Sequence, residues 1–519
     1  MRRRAFLRSS AASATGLALA GPGIGSTAAL TSGSAVQDEA DGNGDGDGYE
    51  PLGRVSISGA CEAVVGDDGE TAYVAAKDGF ATVDVSDPAE PTMLAEERDL
   101  LADEDEEFAD ILDVAVSGDR LVVPGPANET TQPYFHGFLV YDVSDPADPV
   151  LAAEPYETGV HIHNCFLEGD RLYVVENNVD DSGTATNPLV IYDLSDDEVE
   201  EVGTWSPLDH EPEWADVHWL VRYLHDVYVQ DEVAYLPYWD AGTYVVDVSD
   251  PADPELLSSL RDDDVDLDEL IEASDDETAV MDAQQALPGN DHYAAVDDDG
   301  ELLAIGREAW AIDEEGPRPG GIDLYDVRDL EDPTHLATIE APRAAIETYD
   351  GGLWTTSHNF ELRDGELYSS WYQAGVKIYD VSDPESPEEI AAWRDPNEAG
   401  FWTARVAVPD ETFVASSTEL IAGAPTDGGL YTFPIEAGEQ ADPPSLTDPD
   451  ELDVEIPDGG NESEESEDES GGDENEDEDD GANAIPGFTG PAGLAGGALA
   501  LERLRRRAEP RETPPERNR

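Results

Sequence analysis

A five-residue phrase recurs along the chain and constrains its fold more than any other feature. In its commonest form it reads Asp-Val-Ser-Asp-Pro, and it follows an apolar run that alternates with a period of two residues. Six copies begin at Asp84, Asp142, Asp193, Asp247, Asp326 and Asp380. A worn seventh copy, Gly429–Phe433, has lost the turn residues. Alternation broken by Ser-Asp-Pro predicts two strands joined by a tight turn, so the chain is built of repeats.

Each repeat contains two further strand-like runs before the phrase, as in His358–Arg363 and Glu366–Ser370. Four short strands per repeat and seven repeats predict an all-β fold, a seven-bladed β-propeller of four-stranded blades. The alternative, an open solenoid, needs polar caps at both ends. Here the last repeat lacks its fourth strand, and an unassigned strand-like run, Pro51–Ile57, precedes the first. We therefore predict that this N-terminal strand closes the last blade and leaves no sheet edge bare.

The segment from Pro51 to Ile435 resembles the LVIVD-repeat family of propeller-like proteins. The resemblance lies in the phrases Leu139–Val143, Leu189–Leu194 and Tyr244–Val248. It implies the propeller architecture but no particular reaction, because the family is defined by its repeat.

Both ends of the chain resemble sorting signals. The start resembles a twin-arginine export signal, with an Ala/Gly/Ser-rich run after Arg3, Arg4, Phe6 and Leu7. The end resembles the archaeal PGF-CTERM signal, with an apolar run and a basic cluster after Pro486, Gly487 and Phe488. This second resemblance implies an archaeosortase-type processing enzyme and a membrane lipid anchor as partners. We therefore expect an exported protein, either lipid-anchored at the cell surface or extracellular.

These features divide the chain into five predicted segments. They are a twin-arginine signal peptide at 1–30, a disordered acidic linker at 31–50, the propeller at 51–436, a disordered acidic stalk at 437–484 and a PGF-CTERM-like sorting segment at 485–519.

The charge of the chain limits its partners. Asp and Glu number 122 against 26 Lys and Arg, a formal net charge of −96. Repulsion excludes nucleic acid as a partner, and acid spread over every turn indicates a halophilic archaeon, where molar salt screens the self-repulsion. Sequons at Asn128 and Asn461 predict a glycoprotein if the chain is exported. Cys61 and Cys165 fall in non-adjacent blades, so we expect free thiols, and we expect a monomer.

The strand connections predict two unlike faces. Turns between the first and second strands are tight, as at Gly118-Asp119 and Asp364-Gly365. The Ser-Asp-Pro turns between the third and fourth strands are also tight and lie on the same face. We call this side the turn face. The long connections emerge on the opposite side, the loop face, where function on a rigid scaffold is expected.

Histidines recur at one position of the innermost strand in four consecutive blades. They are His163, His225, His292 and His358, and His161 lies two residues before the first. Convergent imidazoles suit a transition metal such as Cu, Fe, Zn or Ni. Asp226 and Asp291 lie beside two of them and are predicted to fix their tautomers. The alternative is a structural ring of histidines copied by duplication, which cap backbone carbonyls without meeting at one point.

Aromatic residues cluster in the loops of the same face. The predicted binding face comprises Trp219, Tyr238, Trp239, Trp310, Trp371, Tyr372 and Trp402. As a set they suggest an aromatic-walled pocket, although each one alone also suits packing between blades. With no nucleophile triad or phosphate loop in the sequence, catalytic residues stay unassigned. We expect a binding or structural surface module with an unknown surface ligand and a metal site. A metal-dependent oxidoreductase is the alternative.

Overall fold

The computed structural model describes residues 48–452, apart from 103–105, 129–131, 178–183, 196–197, 313–317, 422 and 449–451. Within these residues seven sheets follow one another in chain order, and each is antiparallel in its four blade strands. The innermost strand of each sheet contacts the innermost strands of its neighbours, including the last with the first. The predicted seven-bladed propeller is confirmed.

The first two blades follow a short N-terminal strand, β1 (Gly53–Ser56). Blade 1 comprises β2 (Ala60–Val65), β3 (Thr71–Ala76), β4 (Gly79–Asp84) and β5 (Thr92–Arg98). Blade 2 comprises β6 (Ala115–Ser117), β7 (Arg120–Gly125), β8 (Gly137–Asp142) and an outer strand in two pieces, β9 (Val150–Leu151) and β10 (Tyr156–Glu157).

Blades 3 and 4 have four strands each. Blade 3 comprises β11 (Cys165–Glu168), β12 (Arg171–Val175), β13 (Leu189–Asp193) and β14 (Glu200–Trp205). Two 3-10 turns, Pro207–Asp209 and Pro212–Asp216, precede blade 4. Blade 4 comprises β15 (Tyr228–Gln230), β16 (Val233–Pro237), β17 (Thr243–Asp247) and β18 (Glu255–Leu260).

Two short helices, α1 (Leu267–Ala273) and α2 (Glu277–Ala283), lead into blade 5. Blade 5 comprises β19 (Asp291–Val296), β20 (Leu302–Arg307), β21 (Ile322–Asp326) and β22 (Thr334–Ile339). Blade 6 comprises β23 (Phe360–Arg363), β24 (Glu366–Ser370), β25 (Val376–Asp380) and β26 (Glu388–Trp393). Blade 7 comprises β27 (Phe401–Val408), β28 (Thr412–Ser417) and β29 (Gly429–Pro434), and β30 (Gly438–Glu439) follows it.

The N-terminal strand closes the ring. β1 pairs antiparallel with β29, from Gly53 opposite Thr432 to Ser56 opposite Gly429. Flanking backbone bonds extend the pairing, since Leu52 N donates to Thr432 O at 2.8 Å. Blade 7 thereby gains its fourth strand, and the predicted closure is confirmed.

The first aspartate of the repeated phrase closes each turn. The Asp84 carboxylate accepts the Ser86 backbone N–H at 3.0 Å, and that of Asp380 accepts the Ser382 N–H at 2.9 Å. Hydrogen bonds from the serine hydroxyls, together with these backbone bonds, lower the pKa of both aspartates. The same backbone bond occurs at Asp142, Asp193, Asp247 and Asp326. This aspartate therefore persists even in copies that have lost the serine or the proline.

Apolar side chains of adjacent blades fill the space between them. Val376 and Ile378 of β25 pack in one cluster with Phe401, Phe413 and Phe433 of blade 7. Alternation in β25 thus points one face of blade 6 at blade 7, as a half-buried strand requires.

The predicted stalk begins too early at 437. β30 adds to blade 6 by parallel pairing with β26. Beyond it, Pro444 O accepts a bond from Arg394 Nε at 2.8 Å, and Leu446 is 7% exposed. Linker residue Tyr49 is also buried, and its N–H donates to Glu439 O at 2.9 Å. Both neighbouring segments are therefore part of the propeller where the structure describes them.

Several sequence predictions fall on other parts of the chain. The export motif, the sorting motif and the Asn461 sequon lie outside the described residues. Asn128 is buried, and its Nδ2 donates to Asp110 at 3.4 Å, so this sequon does not present its amide to solvent. Cys61 and Cys165 are free, as predicted. No helix in the described part of the chain is long and apolar enough to cross a membrane.

Candidate metal centre

Four histidines enter the channel from the innermost strands of blades 3 to 6. His292 lies in β19, while His163, His225 and His358 lie two or three residues before β11, β15 and β23. Backbone bonds to the second strand of the blade hold the last two at equivalent positions. His225 N donates to Pro237 O at 3.0 Å, and His358 N donates to Ser370 O at 3.1 Å.

The four imidazoles form a contiguous row. Ring centroids are 4.3 Å apart for His163 and His225, 3.9 Å for His225 and His292, and 4.4 Å for His292 and His358. All four residues are buried, with exposures of 1–4%. The structure therefore brings together the histidines that the repeat alignment singles out.

Burial favours the neutral form of three of these rings, those of His163, His225 and His358. Desolvation lowers the pKa of His163 to about 4 and holds those of His225 and His358 well below their usual range. His163 Nδ1 lies 3.1 Å from Ala127 O, and His358 Nδ1 lies 2.6 Å from Trp402 O. A carbonyl oxygen only accepts, so Nδ1 carries the proton in both rings and Nε2 keeps its lone pair. Neutral imidazoles with a free lone pair are competent metal ligands.

A carboxylate completes the most compact group of ligand atoms. One ligand atom each from His225, His292 and Glu308 lie within 4.8 Å of one another. His292 Nδ1 is 3.1 Å from Glu308 Oε2, and the other oxygen of Glu308 accepts a short hydrogen bond from Tyr372 Oη. The sequence predicts a metal site of four histidines. In the structure the closest group of ligand atoms comes from two histidines and a glutamate, with His163 and His358 on either side.

Several nitrogens in this group lack hydrogen-bond partners. Within the described residues, neither ring nitrogen of His292 has one, and neither has His225 Nδ1. The 3.1 Å contact between His292 and Glu308 is close enough for an ion pair but poorly directed for a hydrogen bond. Buried polar atoms are seldom left unpaired, and imidazole with carboxylate is a donor set that suits Zn or Fe. The residues therefore fit a transition-metal ion.

The residues predicted to support the histidines have other partners. Asp226 accepts hydrogen bonds from Val227 N and Asn164 Nδ2, and Asp291 accepts one from Thr243 Oγ1 at 2.7 Å. Backbone carbonyls and Glu308 contact the imidazoles instead. His161 lies at the edge of the row, where its Nε2 is 3.0 Å from Tyr223 Oη. The tautomer-fixing role predicted for the two aspartates is therefore wrong.

The predicted aromatic face divides into two groups. Trp239, Tyr372 and Trp402 pack against the imidazoles, with ring centroids 5.9 Å from His225, 4.8 Å from His358 and 4.5 Å from His358 respectively. Tyr238, Trp310 and Trp371 pack in the apolar clusters, and Trp219 is half-buried. Six of the seven are buried, so they enclose the histidines rather than lining an open mouth.

Glu308 was missed in the sequence, although a signal for it exists. The pairs Val233–Asp247, Leu302–Asp326 and Glu366–Asp380 are equivalent in blades 4, 5 and 6. The residue six positions after the first member of each pair is Trp239, Glu308 and Tyr372, respectively. Glu308 thus occupies the position at which the neighbouring blades place an aromatic ring against the histidines.

A cavity of about 660 Å³ occupies the channel on the turn face. Its rim includes the tight-turn residues Asp68, Asp298 and Arg363, and its wall includes Asp113 and Asp226. The histidines are not among the residues that line it. This cavity therefore lies on the face opposite to the one where the sequence predicts an aromatic-walled pocket.

Comparison with known proteins supports the repeat. Two segments match the LVIVD repeat. They are residues 68–96 and 222–262, which fall in blades 1 and 4. A search of curated proteins finds no match. Among solved structures, the chain is similar to the β-propeller domain of Cps50 (Swd1) from Myceliophteria thermophila, at 8% identity and a TM-score of 0.48, over 75% of this chain and 99% of that one.

Proposed function

We propose that this propeller is a binding module that carries a transition-metal ion at His225, His292 and Glu308. The observation that supports the proposal is the buried group of two imidazoles and one carboxylate, in which three ring nitrogens lack partners within the described residues. The negative charge of Glu308 offsets part of the charge of a divalent ion, and Tyr372 orients that carboxylate. His163 and His358 complete or flank the coordination sphere.

Metal analysis tests this proposal. Protein isolated without chelators should contain about one equivalent of a first-row transition metal per chain, because such sites form with the fold. His292→Ala should reduce the metal content to about a tenth or less, since removal of one of three ligands weakens such sites strongly. The control is His335→Ala, at a half-exposed histidine on the outer strand β22. Equal metal content in the two variants would refute the assignment.

A second candidate function is a metal-dependent oxidoreductase that uses the same histidines. The observation that favours it is the mixed donor set, since two histidines and one carboxylate leave coordination positions open in redox enzymes. A bound Fe or Cu ion would supply electron transfer or activation of a ligand. If the native metal is zinc, which has no redox chemistry, this candidate fails while the binding function stands.

We also propose that the protein is an exported glycoprotein of a halophilic archaeon, tethered to the cell surface by its acidic C-terminal segment. The support is the twin-arginine-like start, the PGF-CTERM-like end, the Asn461 sequon and the net charge of −96. Conversion of Arg3 and Arg4 to lysine should retain the protein in the cytoplasm. Mass spectrometry of the membrane fraction should find the chain cut near Pro486 and carrying a lipid, and an intact C-terminus there would contradict the anchor.

A further inference from the structure

The turn-face cavity contains two carboxylates without basic partners. Asp113 and Asp226 are 6% and 5% exposed and both line the cavity. Asp113 accepts the Cys165 N–H at 2.8 Å, and Asp226 accepts the Val227 N–H at 2.6 Å. Neither forms an ion pair with any residue that the structure describes. Burial of a carboxylate without a counter-charge costs free energy, and a bound cation would supply the counter-charge.

The two basic residues that line the cavity already have acidic partners. Arg363 pairs with Glu361 at 3.4 Å. Arg405 donates to Glu62 Oε1 at 2.9 Å and to Tyr293 Oη at 2.9 Å, and a further bond goes to Phe360 O. Its charge is therefore offset mainly by Glu62 and Glu361, and it forms no ion pair with Asp113 or Asp226, although its charge acts on Asp226 from a distance. Because these bonds occupy the guanidinium of Arg405, it does not offer a binding site for an anionic ligand.

An unpartnered oxygen faces the same space. Asn359 is 3% exposed and lines the cavity, and its Nδ2 donates to Glu62 Oε2 at 2.7 Å. Its Oδ1 has no partner among the described residues. A buried amide oxygen without a donor indicates a ligand that donates hydrogen bonds.

The arrangement suits an organic cation better than a bare ion. Apart from the histidine group, no three ligand atoms from His, Cys, Asp or Glu of the described residues lie within 4.8 Å of one another, so these carboxylates do not form a chelating group with a third such residue. The cavity of about 660 Å³ lies in the usual range for small-molecule sites, about 300–1,000 Å³. Phe166, Tyr228 and Tyr293 supply aromatic walls, which attract cations and cover apolar groups.

We propose that the turn-face cavity binds a small organic ammonium ion, which donates hydrogen bonds to Asp113, Asp226 and Asn359 and places its apolar part against the aromatic walls. The site lies on the opposite side of the histidine row from the enclosing aromatic residues, and it does not depend on the presence of the metal.

Isothermal titration at constant high salt tests the proposal with three probes of matched size. n-Butylammonium should bind with a stoichiometry of one, whereas n-butanol and butyrate should not bind. Asp113→Asn and Asp226→Asn should each weaken n-butylammonium about tenfold or more, the usual effect of removing a charged hydrogen-bond partner. Glu388→Gln, at an exposed position on β26, is the control and should leave the affinity unchanged.

Three results would overturn the inference. They are failure of n-butylammonium to bind, equal binding of n-butanol, and retained affinity in both aspartate variants. Circular dichroism of each variant confirms that it is folded before titration. Metal-depleted protein should bind the ammonium as well as metal-loaded protein does, so the outcome is independent of the metal assignment. Loss of ammonium binding on metal removal would place the ligand at the histidines and also refute the proposed site.

Discussion

Asp113→Asn should stabilise the protein at neutral pH. Burial, and secondarily the charge of Glu62, raise the pKa of Asp113 from its usual 3.8 to about 7. A shift of about three pKa units corresponds to about 4 kcal/mol, at 1.36 kcal/mol per unit. Asparagine keeps an acceptor for the Cys165 N–H but carries no charge. Because Glu62 and other neighbours relax after the change, we expect a gain of about 2–4 kcal/mol in the free energy of unfolding at pH 7.5.

The sign of the pH dependence makes this prediction specific. The folded state binds the Asp113 proton more tightly than the unfolded state, so unfolding releases a proton between about pH 4 and pH 7. The contribution of Asp113 to the free energy of unfolding of the wild type is therefore fully present below pH 4 and is lost as the pH rises through 7. The difference between variant and wild type should grow by about 1.4 kcal/mol per pH unit across this window and then level off.

Urea titrations at pH 4 to 8 in constant molar KCl measure this difference. Subtraction of wild type from variant cancels the other titrating groups, and Glu388→Gln supplies a matched loss of one surface charge. A variant that is less stable than wild type at pH 7.5, or a difference that does not change with pH, would refute the account of Asp113 as a buried group without a counter-charge.

Three further predictions test other parts of the account. Deletion of residues 48–57 removes β1 from blade 7 and should lower the melting temperature by about 5 °C or more, whereas an unchanged value would contradict closure of the ring by this strand. Dilution below about 0.5 M salt should unfold the propeller, as the Debye length grows and 122 acidic residues repel one another. Native circular dichroism in dilute buffer would argue against this view. Tyr372→Phe removes the donor to Glu308 and should weaken metal binding about 10–100-fold, while Tyr235→Phe on β16 should have no effect.

The fold could be predicted from the sequence because its signal is local. The first aspartate of each phrase bonds the backbone two residues on, so every copy marks a turn without reference to the rest of the chain. The sequence likewise shows that blade 7 lacks a strand and that Pro51–Ile57 is an extra strand-like run, so the pairing of the two could be predicted. The packing of tail residues such as Leu446 could not be predicted, because their neighbours in the sequence are polar and the apolar partners come from blades 5 and 6.

The site was predicted only in part. Counting from the tight turns aligned the four histidines, since each blade fixes its own register. The supporting role of Asp226 and Asp291 failed because consecutive residues of a strand point in different directions, so these carboxylates meet Asn164 and Thr243 instead of the imidazoles. Glu308 was missed because it comes from a different strand than the histidine it contacts. The turn-face cavity also depends on side chains from several blades, and no local pattern reveals it.

The central claim is that His225, His292 and Glu308 hold one transition-metal ion. The most direct measurement is an anomalous difference map from crystals of protein purified without chelators, recorded on both sides of the absorption edge of the metal that elemental analysis finds. The account predicts a single strong peak at about 2.0–2.2 Å from a ring nitrogen of each of the two histidines and from a Glu308 oxygen. A map without a peak at these residues, from crystals that contain the metal elsewhere or from metal-replete protein that contains none, would contradict it.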